Sequence, residues 1–238
     1  MQVIVFGANG ATGKHAVEQL VKRGNRVVAV IRPQGKYPVI WDENESITIV
    51  KFSVATMDRQ TMQHLVRDCD AVVSCLGHNL SMKGMFGKPR KLVTNTVKLA
   101  SESVDKSRTE PFKVVLMNTA GNSNRDLNEK VSLGEKVAIG ILRWLLPPHS
   151  DNENAADYLR VKIGQSHPCI EWVAVRPDSL TNEAAVSPYS VHPSPIRSAL
   201  FNPGKTSRIN VGAFMADLIS DCVLWNKWKG KMPVVYND

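Results

Sequence analysis

No apolar run in the chain approaches the ~20 residues that a membrane-spanning helix needs, and no signal peptide precedes the first apolar segment. A cytoplasmic protein with no membrane partner is therefore expected. Cysteine is also scarce, with four in 238 residues. Cys69, Cys75, Cys169 and Cys222 show neither metal-ligand spacing nor a disulfide framework. Cys69 and Cys75 flank or occupy an apolar strand, where a free thiol behaves as a small hydrophobe. No metal site is expected. The formal charge of +8 favours anionic ligands, but the cations are spread along the chain. Zinc-finger, RNA-binding and basic-helix signatures are missing, so a small molecule rather than a nucleic acid is the expected partner. Acidic residues are absent from two stretches that matter below: between Arg32 and Asp42, and between Asp70 and Glu102.

What is present begins at the N-terminus. Val3, Ile4, Val5 and Phe6 form a near-continuous apolar run, as in a parallel strand covered on both faces. Gly7-Ala-Asn-Gly10-Ala-Thr-Gly13 follows, then a helical run with Ala16, Val17, Leu20 and Val21 on one face, ended by Gly24. Glycines at this strand-to-helix turn let the backbone approach a phosphate, and the helix points its N-terminal amides at that anion. The spacing is Gly-x-x-Gly-x-x-Gly, and its framing by strand and helix predicts nucleotide binding. A second strand, Arg26–Ile31, ends at Arg32, where NAD-preferring enzymes usually carry a carboxylate for the ribose hydroxyls. A guanidinium there suits a 2′-phosphate, so NADP (NADPH) is the expected cofactor.

The remaining pattern continues an α/β alternation. Strands are predicted at Ile47–Lys51, Asp70–Gly77, Phe112–Met117 and Cys169–Val175, with a short closing strand near Val234. Helices are predicted over Thr56–Val66, Leu92–Val104 and Ser132–Leu146, then from Ser150 and from about Val211 to Leu224. Ser132-x-x-Glu135 and Ser150-x-x-Glu153 read as capping boxes, with Pro147-Pro148 as a terminator between them. The fold class is a Rossmann-like doubly wound parallel sheet. A single domain over residues 1–238 is expected, with residues from about 178 to 210 forming a loop-rich, substrate-side lobe. Between His78 and Lys98 lie Lys83, Lys88, Arg90 and Lys91 among Met82, Met85 and Phe86. This segment is read as a lid favouring an anionic or aromatic substrate.

The motifs Phe6–Gly13, Val30-Ile-Arg32, Asp70-Ala-Val-Val, Leu76-Gly77, Lys113-Val-Val, Arg176-Pro177 and Ser207-Arg208-Ile209, with Phe214-Met215 beyond, fall in a recognisable order. On them the chain resembles the atypical short-chain dehydrogenase/reductase superfamily, in its NAD(P)H-binding group of flavin- and biliverdin-reductase-like proteins. The resemblance implies that Gly7, Asn9, Gly10, Ala11, Thr12 and Gly13 hold the pyrophosphate, and that Arg32 holds the 2′-phosphate. Ser53 and Val54 would flank the adenine. Leu76, Gly77, Asn118 and Thr119 would line the route to the nicotinamide, with Pro177 at its far side. The family often has Asp where this chain has Ser53.

Many reductases of the wider superfamily use a Tyr-x-x-x-Lys pair, in which the lysine lowers the tyrosine pKa. Tyr158 and Lys162 have that spacing, but Tyr158 lies close to the following strand and borders an apolar stripe of Ala155, Ala156, Leu159 and Ile163. Thr119, His78 and Tyr158 are the candidate catalytic residues, with Asp151 and Glu153 read as helix caps. The expected activity is hydride transfer from NADPH to a small conjugated or carbonyl acceptor such as a flavin or quinone. A redox-sensing regulator that binds NADP without turnover is the alternative, and a nucleotide-sugar epimerase ranks last. A monomer or a homodimer is expected.

Overall fold

A computed structural model describes residues 1–78, 87, 89–129 and 132–238. The elements run β1 (Gln2–Phe6), α1 (Gly13–Lys22), β2 (Arg26–Ile31), β3 (Ile47–Lys51), α2 (Arg59–Arg67), β4 (Ala71–Ser74), α3 (Leu92–Glu102) and β5 (Phe112–Met117). They continue with α4 (Leu133–Leu145), α5 (Pro147–Asp157), a π-helical segment (Tyr158–Ile163), β6 (Ile170–Pro177), β7 (Ser179–Thr181) and β8 (Tyr189–His192). Last come β9 (Lys205–Ser207), α6 (Arg208–Ser220), α7 (Cys222–Trp228) and β10 (Val234–Asn237).

The main sheet has the order β3-β2-β1-β4-β5-β6-β10-β8, parallel except for the edge strand β8. Its first six strands follow the 3-2-1-4-5-6 order of a doubly wound dinucleotide-binding sheet. Strand β1 explains why both faces are covered. Val3 and Val5 point into a core built with Val17, Leu20, Phe214 and Met215 of α1 and α6. Ile4 and Phe6 point into the opposite core, with Met62, Val66, Val97 and Leu159 from α2, α3 and the segment after α5. Chain direction reverses its winding between β1 and β4, which opens a crevice at their carboxyl ends.

Several element ends differ from the sequence reading, each for a local reason. Helix α2 starts at Arg59 rather than Thr56, because Asp58 caps it by accepting from the Thr61 amide at 2.8 Å. Ser132 does cap α4, accepting from the Glu135 amide at 3.2 Å. Pro147-Pro148 does not separate two helices capped independently. It opens α5, since proline lacks the amide that a first helical turn leaves unpaired. Ser150 therefore lies inside α5, and Asp151 and Glu153 are not its N-terminal caps. The long C-terminal helix breaks in two at Asp221, whose carboxylate accepts from the Val223 and Leu224 amides of α7.

One buried cation fastens the irregular segments beyond the sheet. Arg176 is completely buried at the end of β6. Its guanidinium donates to Glu129 at 2.7 and 3.1 Å and to the carbonyls of Met232, Asn122 and Pro193. The loop after β5 is thereby tied to both β6 and the segment before β10.

Candidate nucleotide-binding cavity

The crevice holds a cavity of about 480 Å³. Its floor is the turn from Gly7 to Thr12. Gly7 has φ +70°, and a Cβ there would lie 2.9 Å from the Cys75 carbonyl oxygen. A Cβ on Gly13 would lie 2.0 Å from the Gly7 carbonyl oxygen, so the turn folds back on itself only because both positions are glycine. Thr12 leaves the start of α1 without a side-chain cap, and no acidic residue sits in the helix's first turn. The amide end of α1 thus presents unshielded positive potential to the cavity. Asn9 braces the turn from outside, its Nδ2 donating to the Lys36 carbonyl at 3.0 Å.

Gly7, Asn9, Gly10, Ala11 and Thr12 share this cavity with Arg32, Ser53 and Val54 on one side and Leu76, Gly77 and His78 on the other. Arg32 is exposed at its rim, and among the described residues no carboxylate pairs with it. Gly13, Asn118, Thr119, Pro177 and Tyr158 are not among the lining residues. Gly13 acts through the turn packing just described. The Asn118 side chain is spent inside the protein: Nδ2 donates to the Asn152 carbonyl, and Oδ1 accepts from the Thr119 amide and from Asn122. Thr119 Oγ1 accepts from the Gly121 amide at 3.3 Å. Pro177 is buried and offers its carbonyl to the Ala120 amide.

His78 lies in the cavity wall. Its side chain is 6 % exposed, and Nε2 donates to Asp151 Oδ2 at 2.8 Å. Asp151 is itself completely buried. The same carboxylate accepts from the Val93 amide (2.8 Å), the Thr94 amide (3.0 Å) and Thr94 Oγ1 (2.6 Å). Asp151 is thus a cap, but of α3, a helix whose own N-cap residue, Lys91, offers no acceptor. The result is an imidazole–carboxylate dyad at the cavity wall, anchored to a helix end. The proposed lid lies mostly outside the described residues, including Lys83, Lys88, Met82, Met85 and Phe86; Gly87, Pro89 and Leu92 line the cavity.

A family model of NAD(P)H-binding proteins matches residues 7–222. The chain belongs to that NAD(P)H-binding family. No curated protein matches the sequence. Among solved structures, one provisionally named an NAD-dependent epimerase/dehydratase from Bacillus halodurans is 20% identical, with TM-score 0.70 over 100% of this chain and 94% of that one. An anaerobilin reductase from Escherichia coli O157:H7 is 16% identical, with TM-score 0.67 over 100% and 97%. A short-chain dehydrogenase/reductase from Veillonella parvula, solved in complex with NADP, is 17% identical, with TM-score 0.66 over 99% and 94%. At these identities the likeness shows a shared fold.

Within this NAD(P)H-binding protein the Tyr158–Lys162 spacing falls on the π-helical segment. Tyr158 packs against the core beside Leu159, and Lys162 is exposed. Burial, followed by the nearby Glu102 charge, raises the Tyr158 pKa, the opposite of what a proton-shuttling phenol needs. Lining residues missed by the sequence reading are Met117, Leu180 and Arg208, together with Ala55 and Cys75. Met117 precedes Asn118 at a strand end, where successive side chains face opposite ways. Leu180 follows Pro177 by three residues and reaches the cavity from β7.

Proposed function

We propose that the protein is an NADPH-dependent reductase that passes hydride to a small conjugated or carbonyl acceptor. The observation that carries this reading is one continuous cavity running from Arg32, past the glycine turn, to His78. Its parts fit the cofactor on structural grounds: two glycines with no room for a Cβ, an uncapped helix N-terminus, and a guanidinium without a carboxylate partner among the described residues. Gly7 to Thr12 would hold the pyrophosphate, Arg32 the 2′-phosphate, and Ser53 and Val54 the adenine. NADPH, when bound, supplies the hydride.

The chain's own residues do the rest. Leu76, Met117, Pro89 and Leu92 give the far end of the cavity apolar walls that exclude water and orient a flat acceptor. His78 donates the proton that accompanies reduction, and Asp151 holds the imidazole in place. Tyr158 takes no part. Arg90 and Lys91, exposed near the cavity mouth, favour an acceptor with negative charge. Among the described residues no helix is long and apolar enough to cross a membrane, and the four cysteines are free. Free thiols fit a reducing setting.

The sensor alternative is favoured by one observation, the half-buried Tyr158, whose pKa is raised rather than lowered. A single assay separates the two: NADPH oxidation with a panel of flavins, quinones and aldehydes. Turnover with at least one acceptor is expected. Tight NADPH binding with no turnover on any of them supports the sensor.

A further inference from the structure

The C-terminal lobe brings a second cation to the cavity. Arg208, the first residue of α6, lines it together with Gly10, Ala11 and Thr12. Helix α6 lies directly on α1: a Cβ on Gly212 would stand 2.8 Å from the Ala16 backbone nitrogen and 3.0 Å from the His15 Cβ. Because the fifth residue of α6 meets the fourth residue of α1, the two N-termini emerge side by side. Arg208, one turn before Gly212, therefore sits beside the glycine turn. Its charge reaches the first turn of α1. The His15 pKa is lowered by burial first, then by Lys14 and Arg208.

This corner carries positive charge, and among the described residues no carboxylate lies in the first turn of either helix. Arg208 makes no ion pair among the described residues. It is steadied instead by neutral acceptors on the β7 side: Nη1 donates to Asn182 Oδ1 at 2.9 Å. The half-buried guanidinium, held at Nη1 by that amide, has further N–H groups to offer a ligand in the cavity it lines.

We infer that Arg208 is a second anchor for the cofactor's diphosphate, closing on it from beside the glycine turn. The inference rests on the reading of the cavity as a dinucleotide site, but not on the choice between NADP and NAD. Arg32 addresses the 2′-phosphate, which only NADP has; Arg208 addresses the diphosphate, which both have. Asn182 is a positioning residue that keeps the guanidinium turned to the cavity.

The test is a crossed titration of the full-length chain with NADP⁺, NAD⁺ and adenosine 2′-monophosphate, which lacks the diphosphate. Arg208→Gln is expected to weaken NADP⁺ and NAD⁺ by the same factor, about ten- to a hundredfold, as loss of a charge-assisted contact does. Adenosine 2′-monophosphate should bind Arg208→Gln as it binds the parent chain. Arg208→Lys should recover part of the loss, and Asn182→Ala should show a smaller loss in the same pattern. Unchanged dinucleotide affinity in Arg208→Gln would overturn the inference and hand Arg208 to the acceptor. A parallel fall in adenosine 2′-monophosphate binding would also overturn it, as general damage to the cavity. Failure of the Arg32 reading would look different: Arg32→Ala would leave the NADP⁺/NAD⁺ ratio unchanged while the Arg208→Gln pattern stood.

Discussion

Replacing Asp151 should separate two jobs that one carboxylate performs. The side chain is completely buried and accepts from two amides, one hydroxyl and His78. In Asp151→Ala the start of α3 loses its cap, worth about 1–2 kcal/mol, and buried donors are left unpaired at about 1–3 kcal/mol. A total near 2–5 kcal/mol is a large share of a typical folding free energy of about 5–15 kcal/mol. In a chain of this size it corresponds to a drop of roughly 4–20 °C in melting temperature. Asp151→Asn is the informative variant. Asparagine keeps one acceptor oxygen for the helix end where the carboxylate uses two, so part of the stability lost in Asp151→Ala should survive, while the charge behind His78 is gone. Turnover with an acceptor that must take up a proton should then fall roughly tenfold or more, part of the 10²–10⁴ that a positioned acid contributes, with NADPH affinity unchanged. Thr94→Val is the control. It removes a hydroxyl that bonds Asp151 and leaves the His78 contact alone, so it should lower melting temperature without lowering kcat. Steady-state kinetics, NADPH titration and thermal melts read all three. If Asp151→Asn lost stability but kept its kcat, Asp151 would be a cap alone and the dyad would have no part in the reaction.

Three further outcomes follow from the same geometry. Gly13→Ala places a methyl group 2.0 Å from the Gly7 carbonyl oxygen, so the turn must open; titration should show NADPH affinity lost by at least tenfold. Tyr158→Phe should change kcat by less than about twofold, because the phenol faces the core and its pKa is raised rather than lowered. Glu153 provides a pH dependence. Burial pushes its carboxyl up, but the His149 imidazole 3.5 Å away and the hydrogen bonds from Arg143 outweigh that and hold it at about 2, below its ordinary 4.5. A depressed folded-state pKa gives stability that is complete above the unfolded value and is lost as protons bind the folded form. Glu153 should therefore stabilise fully above about pH 5 and progressively less from about pH 4.5 down to 2. Acid melts of Glu153→Gln should lack that part of the slope.

Local patterns were legible in the sequence because their causes are local. The apolar run of β1, the glycine turn and Arg32 at the end of β2 each follow from neighbours within a few residues. Pairings across long separations were not. His78 and Asp151 are 73 positions apart, and nothing near either residue names the other. One signal was available: α3 begins after Lys91, which cannot cap it, so an acceptor had to come from elsewhere. Parity at strand ends hid another part of the site. Asn118 and Met117 are adjacent, yet the first is knotted into the Asn152–Asn122 network and the second faces the cavity. Pro147-Pro148 carried two meanings, helix stop or helix start, and only the packing of α5 against α3 decided between them. Arg208 stood in a motif, but its place at the cavity depends on how α6 lies on α1, a tertiary fact carried by Gly212.

The central claim is that this cavity takes NADP through Arg32. Its most direct test is the ratio of NAD⁺ to NADP⁺ dissociation constants, measured by titration on the parent chain and on Arg32→Ala at one ionic strength. The parent should bind NADP⁺ more tightly by about tenfold or more, as a bidentate guanidinium–phosphate contact provides, and Arg32→Ala should bring the ratio close to one by weakening NADP⁺ alone. A ratio that stayed the same in both proteins would contradict the account.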